Sequence, residues 1–145
     1  MLLLINVSKV FACSCIGERS VQEEVKYTDA VIVGTIISEK LIIKSNKEIY
    51  PPVMLKQYSL VVENIYKGKI TSDTVTVFTG VGNGDCGVNF TVGEKYIIYG
   101  QIADNDIPLP KRKNIFWTHI CTRTTLFQQK EITEIERYAK NKFHK

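Results

Sequence analysis

Four cysteines carry most of the chemistry that this sequence offers, and two of them stand one residue apart in Cys13-Ser14-Cys15. The other two, Cys86 and Cys121, lie far downstream. An even count in an exported chain points to disulfides, and four cysteines allow three connectivities. A Cys13–Cys15 bridge would close a very small, strained ring. If each late cysteine instead captures an early one, the tripeptide is stapled at two points, and the rest of the chain becomes a frame that holds it still. The same residues with His119 could in principle bind zinc. Structural zinc sites use Cys-x(2–4)-Cys knuckles, however, and neither Cys86 nor Cys121 has such a partner. A thiol-redox role for Cys-x-Cys is a third use of the same residues.

Other candidates are weaker. His119 and His144 sit in no nucleophile or general-base pattern, so no catalytic triad is arguable and no enzyme is expected. Gly80-Val81-Gly82-Asn83-Gly84 looks like a phosphate loop, but such a loop needs a helix N-terminus after it. Here Cys86-Gly87-Val88-Asn89-Phe90 follows, which reads as turn and strand, so the glycines form a tight connector. Glu23-Glu24, Asp104 and Asp106 read as solvated charges at a helix start and in a loop. Asn89-Phe90-Thr91 is a glycosylation sequon, relevant where the host glycosylates exported proteins. No cofactor and no metal of the protein's own is implied.

The tripeptide follows an apolar stretch, Met1-Leu2-Leu3-Leu4-Ile5 to Val10-Phe11-Ala12. It is short for a signal peptide, lacks a basic start and contains Lys9. It is also too short to span a bilayer, which takes about 20 apolar residues. Small Ala12 and the downstream cysteines agree on export with cleavage before Cys13, leaving 13–145 as one domain and residues 1–12 as an imperfect leader. The alternative is that residues 1–12 form a first strand. Val10-Phe11-Ala12-Cys13 also resembles a bacterial lipobox, although Phe11 fits it poorly. Lipid on Cys13 is the one route by which a membrane would become a partner.

The 145 residues, 44% hydrophobic and 23% charged, suit one globular domain with a core of its own. The net charge of +4 is modest. Its lysines are scattered apart from Lys111-Arg112-Lys113 and the tail Lys140, Lys142 and Lys145. That pattern reads as a solvated surface and not as a nucleic-acid patch.

The elements that would position the tripeptide are mostly strands. Ser20-Val21-Gln22-Glu23 has capping-box spacing and opens a short helix to about Tyr27, with Val21 and Val25 on one face. Ala30 to Ser38 is a strand apolar on both faces, so it is central, and Gly34 predicts a bend or bulge within it. Leu41-Ile42-Ile43 can extend it towards a polar tip at Lys44–Glu48, and Pro51-Pro52 marks a loop or an edge. Further strands are predicted over Lys56–Tyr66, Thr74–Phe78, Lys95–Gln101 and Ile115–Thr122, the last carrying Trp117, His119 and Cys121. Asp104–Asn114 is a loop. Ile132, Ile135 and Ala139 fall at helical spacing within a closing helix, Glu131–Asn141. Five strands with a helix before and a helix after predict a mainly β fold, a small closed barrel, with a sandwich also compatible.

Taken together, several stretches resemble the N-terminal domain of the tissue inhibitors of metalloproteinases, a netrin-module type of OB-fold. They are Cys13-Ser14-Cys15, Tyr27-Thr28-Asp29-Ala30-Val31-Ile32-Val33-Gly34, Tyr66-Lys67-Gly68, Thr79-Gly80, Cys86-Gly87, Gly93-Glu94-Lys95-Tyr96 and Cys121. The resemblance runs from Cys13 to Cys121, and the final helix matches in kind. It implies a five-stranded Greek-key barrel with a disulfide-stapled N-terminus, bridged as Cys13–Cys86 and Cys15–Cys121. It also implies that Cys13 chelates a protease's catalytic zinc through its α-amine and carbonyl. Ser14 would enter the specificity pocket, and Cys15, Asp85 and Cys86 would line the same ridge. The partner implied is a zinc metalloprotease outside the cell or at its surface. The chain departs from animal members in lacking a third disulfide in this domain and a second cysteine-rich domain, and in having Ile16-Gly17 where a proline usually follows. It resembles the short, stand-alone form expected in bacteria. A non-inhibitory surface module of the same fold, lipid-anchored or not, is the competing reading.

Overall fold

The computed structural model describes residues 13–46, 49–102, 109 and 112–143. The leader 1–12, most of the loop 103–111 with Asp104 and Asp106, Lys47-Glu48 at the polar tip, and His144 lie outside them. The order is a short helix, six strands and a closing helix: α1 (Val21–Tyr27), β1 (Ala30–Asn46), β2 (Ile49–Lys67), β3 (Thr74–Thr79), β4 (Lys95–Gly100), β5 (Ile115–Trp117), β6 (Thr125–Leu126) and α2 (Gln129–Phe143). The fold is mainly β with a helix at each end, as the strand spacing predicts.

The strands form a sheet in the order β5-β3-β2-β1-β4-β6. All neighbours are antiparallel except β3 and β5, which run parallel. Past the end of β4, Gln101 and Trp117 exchange two backbone hydrogen bonds of 2.8 and 2.7 Å. That bridge joins β4 to β5 and brings the two sides of the sheet round to meet. Curvature comes from β1, whose register against β2 slips at Val31/Ile32, Val33/Gly34 and Ile36/Ser38. Bulges of this kind bend a strand and raise its twist. Gly34 sits at one of them because no side chain fits there: a Cβ would run into the carbonyl oxygen of Val61 and the side chain of Leu60.

Alternation along β1 and β4 then separates two cores. Ile32, Ile36, Tyr96 and Ile98 point inwards and pack with Tyr58, Leu60, Val75, Val77, Phe90 and Phe116. Phe90 meets Tyr58 and Tyr96 edge-on, with centroids 4.9 and 4.8 Å apart. The intervening Val31, Val33, Ile97 and Tyr99 point outwards and are covered by Val21 and Val25 of α1 and by Ile132 and Ile135 of α2. Both helices therefore sit on the face of β1 and β4, and both faces of β1 are dry from Ala30 to Val33, while Ile37, Leu41 and Ile43 further along are exposed. The Ser20 box is formed: Glu23 N donates to Ser20 Oγ and Ser20 N to the Glu23 carboxylate. At the other end of α1, Lys67 Nζ donates to the carbonyls of Val25, Lys26 and Thr28, which satisfies the helix's last acceptors.

Three details differ from the sequence-based expectation. The predicted strand Ile115–Thr122 ends at Trp117: Thr118 N makes the last bond of the parallel ladder, to Phe78 O, and the chain then turns, with Thr122 N donating to His119 O, so that His119 and Cys121 lie in the turn. A sixth strand, Thr125–Leu126, pairs with β4. β2 begins at Ile49 and not at Lys56, and it takes in Pro51-Pro52 at an edge, in a ribbon that β2 forms with β1 beyond the part paired to β3, so a missing N–H breaks no ladder on that side.

Candidate functional site

Cys13 is bonded to Cys86 and Cys15 to Cys121, with Cα–Cα separations of 5.3 and 5.2 Å. These are the two pairs that the resemblance implies. The first bridge ties the tripeptide to the connector after β3 and the second ties it to the turn after β5. Ser14 stands between the two anchors and is exposed. Gly17 N donates back to Cys15 O at 3.1 Å, with Gly17 at φ 68°, so the chain turns sharply and thrusts Ile16 fully into solvent, at 104% exposure. An isoleucine without a single covering group gains nothing from folding. It joins Ser14 in the exposed ridge, and sequence reading gave it no role.

The glycine connector is folded around Asp85. Its carboxylate accepts from the N–H groups of Val81, Gly82 and Gly87 at 2.7, 2.8 and 3.1 Å. Partial burial pushes the Asp85 carboxyl up, but the backbone donors outweigh it and hold the group below its ordinary value. The glycines are needed for closeness: a Cβ on Gly80 would meet the Asp85 carboxylate, and one on Gly87 the carbonyl of Gly80. Asp85 thus spends its acceptors on its own loop, and it shapes the ridge from within. Cys86 follows at φ 62°, a left-handed conformation unusual outside glycine, and that turn aims its sulfur at Cys13. Val88 N donates to Thr79 Oγ1 at 2.8 Å and closes the loop's far end. No helix follows the glycines, so the phosphate-loop resemblance has no structural counterpart.

The second anchor rests on a hydroxyl cluster. Thr118 Oγ1 lies 3.0 Å from Thr122 Oγ1 and 2.8 Å from Thr124 Oγ1, and it donates to Tyr99 O. Thr118 and Thr122 are buried, so this cluster fixes the turn that carries Cys121. His119 Nδ1 accepts from Cys121 N at 3.2 Å, which leaves the ring proton on Nε2. Burial pushes the His119 pKa down, which favours the neutral ring. It serves the turn. The connector and the turn are themselves joined, since Ile120 N donates to Cys86 O at 2.9 Å.

Residues that sequence reading did not single out complete the frame. Arg123 reaches from the turn to α2, donating from Nε and Nη2 to the two carboxylate oxygens of Glu131 at 2.8 and 2.6 Å, and from Nη1 to Arg19 O at 3.0 Å. Tyr99 OH donates to Glu131 at 2.7 Å. Burial pushes the Glu131 carboxyl up, but the bonds from Arg123 and Tyr99 hold it below its ordinary value. Glu24, expected to be solvated, has no exposed surface and accepts from Arg19 at 3.1 Å, while the Arg19 guanidinium stacks 3.8 Å over Tyr27. Glu131 marks a helix start in the sequence. No local spacing shows that Arg123, eight positions earlier, would turn back onto it.

All four cysteines are bonded, so none offers a thiolate to a metal ion. No described helix is long and apolar enough to cross a membrane. The arrangement is a rigid, solvent-facing ridge of short side chains on a cross-linked base. Over residues 11–141 the sequence matches the family model described as "Tissue inhibitor of metalloproteinase". No curated protein matches it significantly.

Proposed function

Since the chain belongs to the tissue inhibitor of metalloproteinase family, we propose that it is an exported inhibitor of zinc metalloendopeptidases and that Cys13-Ser14-Cys15 is its reactive element. The single observation that carries this reading is the position of the tripeptide, exposed at Ser14 and bridged on both sides to loops that are hydrogen-bonded to each other. The strand order with its closing Gln101–Trp117 bridge supports the OB-fold reading of the frame.

In this reading, removal of the leader frees the α-amine of Cys13. A catalytic zinc keeps an open position for water or substrate. The Cys13 amine and carbonyl fill it together and displace the water. Ser14 enters the adjoining pocket without filling it, which gives broad selectivity and moderate affinity. Ile16 and the Asp85 loop extend the contact. Two bridges leave little freedom to be lost on binding, so little affinity is spent on ordering the ridge.

The test is a mature protein beginning at Cys13, compared with one carrying an extra alanine before Cys13 and with one acetylated at that amine. Inhibition of a panel of metalloproteases by the first alone supports chelation. Equal inhibition by all three excludes it. No inhibition by any, in protein with both bridges intact, favours a binding module of the same fold.

A further inference from the structure

We propose that the two disulfides form an interchange pair, so that a single two-electron reduction releases the whole N-terminal arm. The sulfurs of Cys13, Cys86 and Cys121 all lie within 4.8 Å of one another. The two bridges therefore abut, with Cys121 beside the bond between Cys13 and Cys86. Reacting atoms must come to about 3–3.5 Å, a gap that rotation of a freed cysteine side chain closes.

The hydrogen bonds decide which cysteines remain together. Cys86 and Cys121 sit on loops that stay joined without any disulfide, through Ile120 N to Cys86 O, and next to it Thr118 N to Phe78 O. Cys13 and Cys15 sit on an arm whose own backbone bond, Gly17 N to Cys15 O, is internal to it. The arm's nearest further tie is Arg123 to Arg19 O.

The reaction begins when a dithiol reductant cleaves Cys13–Cys86. The dithiol becomes a cyclic disulfide, and two thiols appear on the protein. The Cys86 thiolate then attacks Cys121 Sγ. A Cys86–Cys121 bond forms, the Cys121–Cys15 bond breaks, and Cys15 leaves as a thiolate that takes up a proton. If the dithiol opens Cys15–Cys121 first, the Cys121 thiolate attacks Cys86 and expels Cys13, and the product is the same. In either order the tripeptide loses both anchors and the scaffold keeps one bridge. The inference rests on the placement of the sulfurs and holds whether or not the protein inhibits a protease.

The test uses protein beginning at Cys13, treated at pH 8 with one equivalent of reduced dithiothreitol, quenched in acid, alkylated and mapped by mass spectrometry. The expected two-thiol species is labelled at Cys13 and Cys15 and contains a Cys86–Cys121 peptide. It forms faster as pH rises, because the thiolate is the attacking form. A second measurement needs no reductant: in Cys13→Ser the free thiol should be found on Cys15, and Cys86 should be bonded to Cys121. Two-thiol species that keep a native bridge, direct passage to four thiols, or a free thiol that stays on Cys86 in the variant would each overturn the proposal.

Discussion

Arg123 grips both carboxylate oxygens of Glu131 at 2.8 and 2.6 Å, and the same guanidinium holds the carbonyl of Arg19, at the base of the stapled arm. One side chain therefore couples the Cys121 turn, the closing helix and the N-terminal segment. Paired forks of this kind bind more strongly than point charges. Arg123→Ala removes the fork and leaves Glu131, which is buried, with Tyr99 as its remaining donor. Breaking a fully buried pair costs about 3–5 kcal/mol. Arg123 is part-exposed, so a loss of about 2–3 kcal/mol in urea unfolding is expected. Arg123→Lys should recover little of it, since a lysine cannot form the fork.

Four carboxylates are held below their ordinary values; Glu23 and Glu63 are solvent-screened, and acid should weaken the protein chiefly through the other two. Asp85 is held below its ordinary 3.8 by three backbone donors despite partial burial, and Glu131 below 4.5 by Arg123 and Tyr99. A group whose folded pKa is depressed contributes stability that is present above its unfolded pKa and lost as pH falls through the folded one. Stability should therefore be level from neutral pH down to about 5 and fall below about 4.5. Asp85→Asn should lower the plateau and shrink the acid fall. A profile with the wild-type slope in that variant would show that the Asp85 loop does not contribute.

Gly34→Ala tests the curvature of β1. An added Cβ would strike the Val61 carbonyl and Leu60, where β1 slips register on β2. Overpacking at such a contact costs about 1–3 kcal/mol. The midpoint of thermal unfolding should drop, with no change in disulfide mapping. An unchanged midpoint would mean that the bulge relaxes freely.

Much of this frame was legible from periodicity and short motifs. The Ser20–Glu23 box, the two-faced apolar run at 30–36 and the Ile132/Ile135 spacing are local signals, and each fixes an element whose partners are then dictated by burial. The ends of strands were not legible in the same way. Ile115–Thr122 alternates well enough to be a strand, yet past Trp117 the Thr118 hydroxyl is held by Tyr99 O and Thr124, and Thr122 N turns back to His119 O, so the strand stops. Glu24 reads as a surface charge because its burial against Arg19 is assembled only by the tertiary fold. The same holds for Arg123. Asp85 reads as a ridge residue because of its position, and it is exposed; that its carboxylate is bound to three N–H groups of its own loop depends on glycine-permitted geometry that the sequence does not display.

Ile135→Asp tests the seat of α2. Ile135 is 1% exposed among Val21, Val31, Val33, Ile97, Tyr99 and Ile132. A carboxylate placed there has no donor, and burying an unpaired charge costs several kcal/mol, here about 3 or more. Urea titration should show a large fall in midpoint. A curve unchanged from wild type would mean that α2 does not hold the outer core.

The pH dependence of inhibition bears on the proposed chelation most directly. The Cys13 amine can donate its lone pair to zinc only when it is unprotonated. A free α-amino group has a pKa of about 7.7–8.0, so at neutral pH the metal competes with a proton for it. Above about pH 8.5 the amine is mostly free, and the inhibition constant should be flat. Below about pH 7 it should rise roughly tenfold per unit, since one proton must leave for each inhibitor bound. Cys13 is disulfide-bonded and its thiol does not titrate, so it supplies no rival slope near neutrality. The protease's own titration is removed by comparing the inhibitor with a reference inhibitor that lacks an amine, at each pH. Inhibition that is as strong at pH 6 as at pH 8.5 would place the metal contact on some group other than the Cys13 amine.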